Sequence, residues 1–308
     1  MQIEKRLNIS VLCNSDIALP ALKELMLCAN LLAIGIHIKG NNVYVIEHFA
    51  KENKIPLKYF EKSSFRKEIH EWVNTYNSDA VFVITFPFRI PETVMSIPHK
   101  GFFNFHFGLL PEYRSIDPIF WQIKNGEKFG GISVHKMDKD LDTGPVLLLK
   151  KIPIAIDTSH GKHWNDLAAL GAAIIPSVIK LVYSNNFNLL DQGNGTYWGK
   201  PVYADVKINW KEKSAKQVIA LVKACNPWNK GAFTFLNNNE IRIVEAKLTE
   251  YKDNLGVKSG RIVVDNNQIL IQCADAEFIV PTIFYTSEGF FNTDYLIQQG
   301  VNTYSLFS

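Results

Sequence analysis

The sequence lacks several features that would place the protein outside a reducing compartment. Its 4 cysteines are widely spaced and include no Cys-x-x-Cys pair, which argues against a disulfide framework. The N-terminal stretch has only a short apolar run and no small-residue cleavage site, unlike a secretory signal. No apolar run approaches the about 18 residues that a membrane helix needs. These absences predict a cytoplasmic protein without a membrane partner.

Motifs for phosphate cradles and metal sites are also missing. Neither G-x-G-x-x-G nor G-x-x-x-x-G-K-[ST] occurs, so no dinucleotide or P-loop cradle is indicated. The histidines outside the segment discussed below, including the pair His160 and His163, have no companions at metal-ligand spacing, so we expect no metal. The formal net charge of +3 over 308 residues does not demand an anionic partner. With 47% hydrophobic residues, the chain can nevertheless bury a substantial core.

The first half of the chain alternates short apolar runs with amphipathic stretches, as alternating strands and helices do. The predicted strands are Asn8–Cys13, Leu31–His37, Asp79–Thr85, Gly101–His106, Gly131–Met137 and Val146–Ile152. The predicted helices begin near Ala18, with Ser15 or Asp16 as the cap, and then cover Val45–Asn53, Phe65–Asn77, Asp117–Asn125 and Thr158–Tyr183. This rhythm predicts an α/β fold with a Rossmann-like, open, mostly parallel sheet and flanking helices.

The pattern changes near residue 206. A predicted helix at Ser214–Cys225 precedes short strands at Ala232–Leu236, Ile241–Leu248, Gly260–Val264 and Ile269–Cys273. This succession predicts a small β-rich domain resembling an OB-like barrel. We therefore expect an α/β domain over 1–185, a linker rich in Asn, Gly and Asp over 186–205, and a β-barrel-like domain over 206–308.

Chemically useful side chains are concentrated between residues 101 and 144. Asn104 and His106 are two positions apart on a predicted strand, so their side chains leave the same face. They lie at the carboxyl end of that strand, where parallel sheets build their sites. Asp142 follows in a Leu-Asp-Thr-Gly turn. Taken singly, each has an ordinary structural explanation, so the spacing alone supports only the hypothesis of an acid–base or oxyanion site.

Three ordered motifs resemble those of folate-dependent formyltransferases. They are Asn104-x-His106, Leu109-Leu110-Pro111-x-Tyr113-Arg114 and Met137-Asp138-x-x-Leu141-Asp142-Thr143-Gly144. That family includes methionyl-tRNA, glycinamide ribonucleotide and amino-sugar formyltransferases. Asn226-Pro227-Trp228 looks like the start of the C-terminal domain in the methionyl-tRNA and aminoarabinose-type members. The resemblance implies transfer of a formyl group from 10-formyltetrahydrofolate to a primary amine.

The same resemblance implies catalytic roles for Asn104, His106 and Asp142. Formyl transfer passes through a tetrahedral intermediate, whose oxyanion Asn104 and His106 would stabilise as hydrogen-bond donors. Asp142 would orient the imidazole or accept the amine proton through water, so either His106 or Asp142 can be the formal base.

The resemblance also implies a pterin cleft between residues 86–91 and 137–142. The implied folate-binding residues are Phe86, Phe88, Arg89, Ile90, Leu109, Leu110, Pro111, Asp138 and Asp140. For Leu109 and Leu110, an ordinary role in the core is the alternative. The implied acceptor-binding residues are Phe107, Gly108, Tyr113 and Arg114.

The sequence departs from the family pattern at two places. Phe107 and Gly108 follow the histidine, where a small residue and a serine are usual, and Ser115 stands where a glycine commonly follows Tyr-Arg. Neither change removes a catalytic group. Both changes alter the expected acceptor pocket.

Two kinds of amine acceptor compete. Transfer-RNA enzymes carry a basic inserted loop after the second strand, whereas here that region reads GIHIKGNNVYVIEHF, with one lysine. From residue 206 onward, 11 Lys+Arg oppose 10 Asp+Glu, a difference of 11 − 10 = +1. An RNA-binding domain should be more basic.

We therefore expect a nucleotide-linked amino sugar as the acceptor. Transfer RNA is the alternative that the C-terminal domain favours. A formyl-folate deformylase is a further alternative, but such enzymes lack this C-terminal domain. A non-catalytic binding protein conflicts with the intact trio, and the sequence leaves a homodimer open.

Overall fold

The computed structural model describes residues 6–40, 42–184, 189–253, 255–303 and 305–307. Positions 186–188, where the linker was predicted to begin, lie outside the described residues. The chain forms two compact units. The first comprises the chain up to Ser115, Gly130–Ile152 and Trp164–Trp198, and the second comprises Ile116–Phe129, Pro153–His163 and the chain from Gly199. The domain boundaries at residues 185 and 206 remain a prediction.

The strands are numbered in chain order. They are β1 (Asn8–Cys13), β2 (Asn30–Ile36), β3 (Leu57–Tyr59), β4 (Ala80–Ile84), β5 (Gly101–His106), β6 (Arg114–Ser115), β7 (Phe129–Lys136), β8 (Val146–Pro153), β9 (Tyr197–Trp198), β10 (Ala232–Leu236), β11 (Asn239–Leu248), β12 (Ile262–Asp265), β13 (Gln268–Gln272), β14 (Phe278–Thr286) and β15 (Gly289–Asn292).

The helices follow the same numbering. They are α1 (Leu19–Cys28), α2 (Tyr44–Glu52), α3 (Phe65–Tyr76), α4 (Glu92–Met95), α5 (Pro118–Lys124), α6 (His160–Ser184), α7 (Tyr203–Val206), α8 (Ala215–Ala224) and α9 (Thr293–Gln298). A short 3-10 turn at Asp16–Ala18 precedes α1, and the Ser15 hydroxyl caps it by accepting from the Ile17 amide.

The first unit is built on a seven-stranded sheet in the order β3-β2-β1-β4-β5-β7-β8. The pairs from β3 to β5 are parallel, and β7 joins β5 antiparallel. Strands β1 and β4 are buried along almost their whole length, as expected for central strands covered on both faces. The predicted class, a mostly parallel sheet with flanking helices followed by a β-rich C-terminal region, is confirmed.

Helix α3 covers one face of this sheet with an aromatic core. Its buried residues Phe65, Ile69, Trp72 and Val73 recur at helical spacing and pack into one cluster with residues of β1, β4 and β5. Phe60 lies at the centre of this cluster, in edge-to-face contact with Phe65 and Trp72 at ring-centroid distances of 5.3 and 5.8 Å.

Helix α6 is long and apolar enough, by length and composition, to cross a bilayer. Its residues Leu167, Ile175, Val178 and Val182 are fully buried. Gly171 lies close to Ile132 of β7, so this helix packs against the sheet. Burial of one apolar side is what a core helix of a globular unit requires.

The second unit contains an antiparallel sheet in the order β10-β11-β14-β13-β12, with β15 also paired to β14. The C-terminal residues connect the two ends of this order, because Phe307 bridges Leu236 of β10 and Leu306 bridges Arg261 next to β12. The Phe307 amide also donates to the Gly260 carbonyl at 3.0 Å. These bridges give the sheet a barrel-like closure.

The described part of the predicted linker carries regular structure. Leu190 bridges Val146, β9 pairs with β6 inside the first unit, and α7 belongs to the second. The sequence pattern also missed the strands β3, β6, β14 and β15 and the helices α4 and α9. The predicted strands and helices are all present, with ends no more than two residues from the predicted positions.

Candidate active site

Strand β5 places Asn104 and His106 at the carboxyl end of the sheet. Asn104 pairs with Val83 of β4 and with His135 of β7, and His106 pairs with Ser133 of β7. Because the two residues are two positions apart, both side chains leave the same face. The alternation predicted from the sequence is therefore present at these positions.

Asp142 meets both of these side chains. Asn104 Nδ2 donates to Asp142 Oδ1 at 3.1 Å, and His106 Nδ1 lies 3.5 Å from Asp142 Oδ2. One carboxylate oxygen of Asp142 thus faces Asn104, and the other faces His106. His106 and Asp142 are both 5% exposed, so these contacts are shielded from water. The structure brings together all three residues that the resemblance assigned to catalysis.

The protonation of His106 follows from its partners. Its Nε2 lies 2.6 Å from the Tyr113 carbonyl oxygen, which only accepts, so Nε2 carries a proton. Burial lowers the pKa of His106 below its ordinary value, although the Asp142 carboxylate and the Tyr113 carbonyl act in the opposite direction. A neutral ring then has its lone pair on Nδ1, facing Asp142.

Asp142 is ionised in this environment. Burial by itself raises the pKa of its carboxyl, but the His106 and His135 rings and the Asn104 amide outweigh burial and hold the pKa below its usual range. An ionised carboxylate next to a neutral imidazole can stabilise the ring when the ring takes up a proton.

His135 is a fourth polar residue at this site, and the sequence reasoning missed it. Its Nε2 lies 3.1 Å from Asn104 Nδ2 and 3.5 Å from Asp142 Oδ1, and its side chain is 2% exposed. Its Nδ1 has no hydrogen-bond partner among the described residues. A signal existed, because the two predicted strands Gly101–His106 and Gly131–Met137 both carry a histidine, but their register was not predictable.

The loop after β5 is held by β7. The Ser133 hydroxyl donates to the Gly108 carbonyl at 2.7 Å and accepts from the Leu110 amide at 3.0 Å. Phe107 and Leu110 are buried, and Leu109 is half-buried next to Gly131. Phe107, Gly108 and the Leu-Leu-Pro segment therefore form one anchored turn directly after His106.

Glycine is required at position 144 of the Asp142 loop. A Cβ at Gly144 would overlap the Lys136 carbonyl oxygen, so the loop can pass β7 only without a side chain. Asp138 organises the same loop, because its Oδ1 accepts from the Thr143 hydroxyl at 2.7 Å and from the Asp140 amide at 3.1 Å.

The segments predicted to enclose the pterin contact each other. The Arg89 guanidinium donates to the Lys139 carbonyl oxygen and lies 3.7 Å from Asp140. Phe86 and Phe88 pack at a centroid distance of 5.4 Å, and Ile90 is buried in the cluster under α3. A cavity of about 160 Å³ adjoins these segments, lined by Arg66, Arg89, Ile90, Pro91, Glu92 and Lys139. The folate-binding roles remain predictions.

Tyr113 and Arg114 do not present free side chains to an acceptor. The Tyr113 ring is buried and stacks on Trp198 at a centroid distance of 6.2 Å. The Arg114 guanidinium donates to Gln192 Oε1 from Nε at 3.3 Å and from Nη2 at 3.0 Å. Their predicted acceptor-binding roles are untested, but Arg114 is occupied by a neighbouring side chain.

Within the described ranges, no group of three or more His, Cys, Asp or Glu side chains is placed to hold a metal ion. What the arrangement supplies is a buried carboxylate, a neutral imidazole and an amide donor at one sheet edge. That combination suits proton transfer coupled to stabilisation of an oxyanion.

Known proteins are similar to this chain in sequence. A model of the formyl transferase family matches residues 33–179, and a model of the formyl transferase C-terminal domain matches residues 202–283. A methionyl-tRNA formyltransferase of Dictyoglomus turgidum is 32% identical over 225 residues, which are 72% of this chain and 71% of that protein.

Solved structures share the fold at low identity. WlaRD, a sugar 3N-formyl transferase crystallised in the presence of dTDP and 5-N-formyl-THF, superposes with a TM-score of 0.68 at 19% identity, covering 90% of this chain and 97% of that one. An N-formyltransferase of Helicobacter canadensis in complex with folinic acid and dTDP-3-aminofucose has a TM-score of 0.69 at 18% identity, covering 89% of this chain and 98% of that one.

The family matches define an enzyme that transfers formyl groups with folate. The chain belongs to the formyl transferase family, as the resemblance implied.

Proposed function

We propose that this enzyme transfers the formyl group of 10-formyltetrahydrofolate to the primary amine of a nucleotide-linked amino sugar, using Asn104, His106 and Asp142. The observation that carries the catalytic part is that the two oxygens of the Asp142 carboxylate face Asn104 Nδ2 and His106 Nδ1, one each. We retain a cytoplasmic location as a prediction.

In this mechanism the amine nitrogen attacks the formyl carbon and a tetrahedral intermediate forms. Neutral His106 accepts the amine proton, directly or through water, and the resulting cation is stabilised by Asp142. The Asn104 amide rotates one of its N–H groups away from His135 and directs it to the developing oxyanion. The carbon–N10 bond then breaks, and the proton that His106 holds passes to N10. The products are the formamide and tetrahydrofolate.

The donor binds beside the loop of residues 86–91. The flat pterin is held near the anchored Leu-Leu-Pro turn, and the carboxylates of the folate tail meet the cavity lined by Arg66, Arg89 and Lys139. A cavity of about 160 Å³ fits the end of the tail and not the whole cofactor. Phe107 and Gly108, directly after His106, remain the residues that we assign to the acceptor side.

Charge supports the small acceptor. The chain from residue 206 has 11 Lys+Arg against 10 Asp+Glu, and the connection after β2 is short, because α2 already begins at Tyr44. A nucleotide-linked sugar needs one or two cationic contacts for its diphosphate, whereas a transfer RNA needs many along its backbone.

Initiator methionyl-tRNA is the second candidate. It is favoured by the relative from Dictyoglomus turgidum, which bears that activity in its name, and by the matched C-terminal domain. The two candidates share the donor and the chemistry. They differ in the size and the charge of the acceptor.

The deciding experiment supplies 10-formyltetrahydrofolate with a panel of nucleotide-linked amino sugars, with charged initiator transfer RNA, or with no amine. Folate release is followed by absorbance and the formylated product by mass, with the His106→Ala chain as the control for uncatalysed formylation. We expect a formylated sugar and no turnover without amine. Formate release without amine would instead indicate a deformylase.

Transfer RNA binding is measured in parallel against salt. An enzyme that neutralises about six phosphates loses roughly 10³ in affinity between 50 and 200 mM salt. We expect negligible binding at physiological salt. Tight, steeply salt-dependent binding together with formylated methionyl-tRNA would replace the amino-sugar assignment by the second candidate.

A further inference from the structure

The chain after α6 returns to the candidate active site within the first unit. Leu190 bridges Val146 with amide–carbonyl distances of 2.9 Å in both directions, and β9 pairs with β6. Gly195 packs so closely against Pro111 that a Cβ there would overlap the Pro111 carbonyl oxygen. Residues 190–198 therefore lie over the loops that carry the candidate catalytic groups.

Gln192 is the buried polar residue of this segment. Its side-chain Nε2 donates to the carbonyl oxygens of Asp142 at 3.0 Å and of Gly144 at 2.6 Å. Its Oε1 accepts two hydrogen bonds from the Arg114 guanidinium. The residue is 8% exposed, so water does not replace these bonds.

The chemistry of the partners fixes the orientation of the Gln192 amide. Backbone carbonyls only accept and a guanidinium only donates. With the amide reversed, its oxygen would face two carbonyl oxygens and its NH2 group would face Arg114. The orientation described is therefore the one that satisfies both hydrogens and both lone pairs.

These bonds hold the backbone at Asp142 in a left-handed conformation. Asp142 has a φ of 53°, in the left-handed region that few residues with a Cβ occupy and that aspartate adopts more often than most. The direction of its carboxylate, and hence its distances to Asn104 and His106, depends on this conformation. Gln192 bonds the carbonyl of Asp142 itself and the carbonyl two residues later, and so braces the turn from both sides.

We propose that Gln192 is a positioning residue for Asp142, and that Arg114 acts on the reaction through Gln192. This inference rests on the catalytic role proposed above for Asp142. Gln192 does not touch the reacting atoms. It holds the peptide from which the Asp142 side chain extends, and Arg114 holds Gln192 in the donating orientation.

Two substitutions separate positioning from simple support of the fold. Gln192→Met keeps the length but removes all four hydrogen bonds. Gln192→Glu keeps the acceptor for Arg114 but places an oxygen against the Asp142 and Gly144 carbonyls. We expect both variants to lower kcat by roughly tenfold or more at saturating substrates, with each KM changed by less than about threefold. A Gln192→Glu variant with wild-type kcat would overturn the proposal.

Gln272 in the second unit offers a matched control. It is 2% exposed, its Oε1 accepts from Arg261 Nε at 3.2 Å and its Nε2 donates to the Gly256 carbonyl at 3.3 Å. Gln272→Met should therefore lower the thermal midpoint while kcat stays within about twofold of wild type. If Gln192→Met lowers only the midpoint, as this control does, Gln192 is structural and the proposal is wrong.

A double variant distinguishes failure of this inference from failure of the proposed mechanism. If Gln192 works through Asp142, Gln192→Met adds less than about twofold to the kcat loss of Asp142→Asn. Independent effects would multiply and overturn the positioning role. Wild-type turnover in Asp142→Asn alone would instead remove Asp142 from the mechanism. If Gln192→Met does not fold, Gln192→Asn and Arg114→Lys replace it, because they perturb the same hydrogen bonds less. Each is then combined with Asp142→Asn, and the kcat values are compared in the same way.

Discussion

Two polar clusters, one in each unit, differ in how hydrogen bonds satisfy their side chains. In the second unit, Arg261 Nη2 lies 2.6 Å from Asp253 Oδ2, and Gln272 bonds the same arginine. At the edge of the first sheet, Asp142 faces two buried rings at 3.5 Å, and His135 Nδ1 has no hydrogen-bond partner among the described residues. The Arg261 cluster is thus joined by direct hydrogen bonds, whereas the candidate site contains a buried ring nitrogen that can still take a partner.

Left-handed backbone conformations occur in both units. In the second unit, left-handed residues include the exposed asparagines of two hairpins, at positions 237–238 and 266–267, where Asn adopts this conformation readily. In the first unit, Asp142 and the β-branched Thr85 have φ values of 53° and 58°. Asp142 lies in the loop between β7 and β8, and Thr85 directly follows β4. At Asp142 this conformation is accompanied by hydrogen bonds from Gln192, whereas the hairpin asparagines adopt it in exposed turns.

The strongest test of this contrast replaces titratable groups in each unit. His106→Ala and Asp142→Asn should each lower kcat by about 10² or more, because each deletes proton transfer or charge stabilisation at the reacting centre. Asp253→Asn, which breaks the ion pair with Arg261, should lower the thermal midpoint and leave kcat unchanged. Folate release by absorbance and thermal unfolding report the two effects. Near-wild-type turnover in either first-unit variant would exclude that residue from the mechanism.

A second test asks whether the polar atoms of His135 contribute to the candidate site. His135→Leu should lower kcat roughly tenfold with little change in KM, because Asn104 loses the acceptor that orients its amide and Asp142 loses a group that lowers its pKa. His135→Gln, which keeps polar atoms at this position, should recover part of the loss. Equal rates for the two variants would mean that His135 contributes only volume.

A smaller effect is expected where the two pterin segments meet. Arg89→Ala should raise KM for the folate by roughly five-fold with kcat nearly unchanged, since the contact between Arg89 and the Lys139–Asp140 segment is lost together with one cation of the cavity. Lys67→Ala is the control, because Lys67 forms an exposed pair with Glu71 at 3.9 Å. An unchanged folate KM in Arg89→Ala would place the donor elsewhere.

The smallest expected effect is a displacement of the pH profile. Because burial lowers the pKa of His106 from its ordinary 6.5, the acid limb of kcat should lie below pH 6.5. Asp142 raises the pKa of His106, so Asp142→Asn should move the limb to still lower pH. A limb above pH 6.5 in the wild type would contradict this assignment.

The free energy of unfolding should also depend on the lowered pKa of His106. Between the lowered folded-state pKa of His106 and 6.5, the unfolded chain binds more protons, so the free energy of unfolding falls as pH decreases through this range. The pKa of Asp142 is also lowered, so its stabilising contribution disappears at more acid pH. Thermal unfolding between pH 8 and pH 5 measures the first change.

The strand β14 illustrates a limit of sequence patterns. It is central in its sheet, yet Pro281 interrupts its apolar run, and a proline argues against a central strand. The partner strand β11 accommodates it, because the register shifts beside Ala246, which pairs with Pro281. This irregularity arises from the pairing of two strands, so neither strand alone predicts it.

The sequence by itself determined a mostly parallel α/β sheet, the shared face of Asn104 and His106, and the Leu-Asp-Thr-Gly turn that carries Asp142. These are local properties, set by periodicities of two and 3.6 residues and by backbone sterics. Only the tertiary structure decided that His135 stands opposite Asn104, and that Gln192 bonds the carbonyl of a residue fifty positions earlier. A buried glutamine and an exposed one look alike in a sequence. What separates them is desolvation, which makes each long-range hydrogen bond obligatory and appears only when the chain has folded.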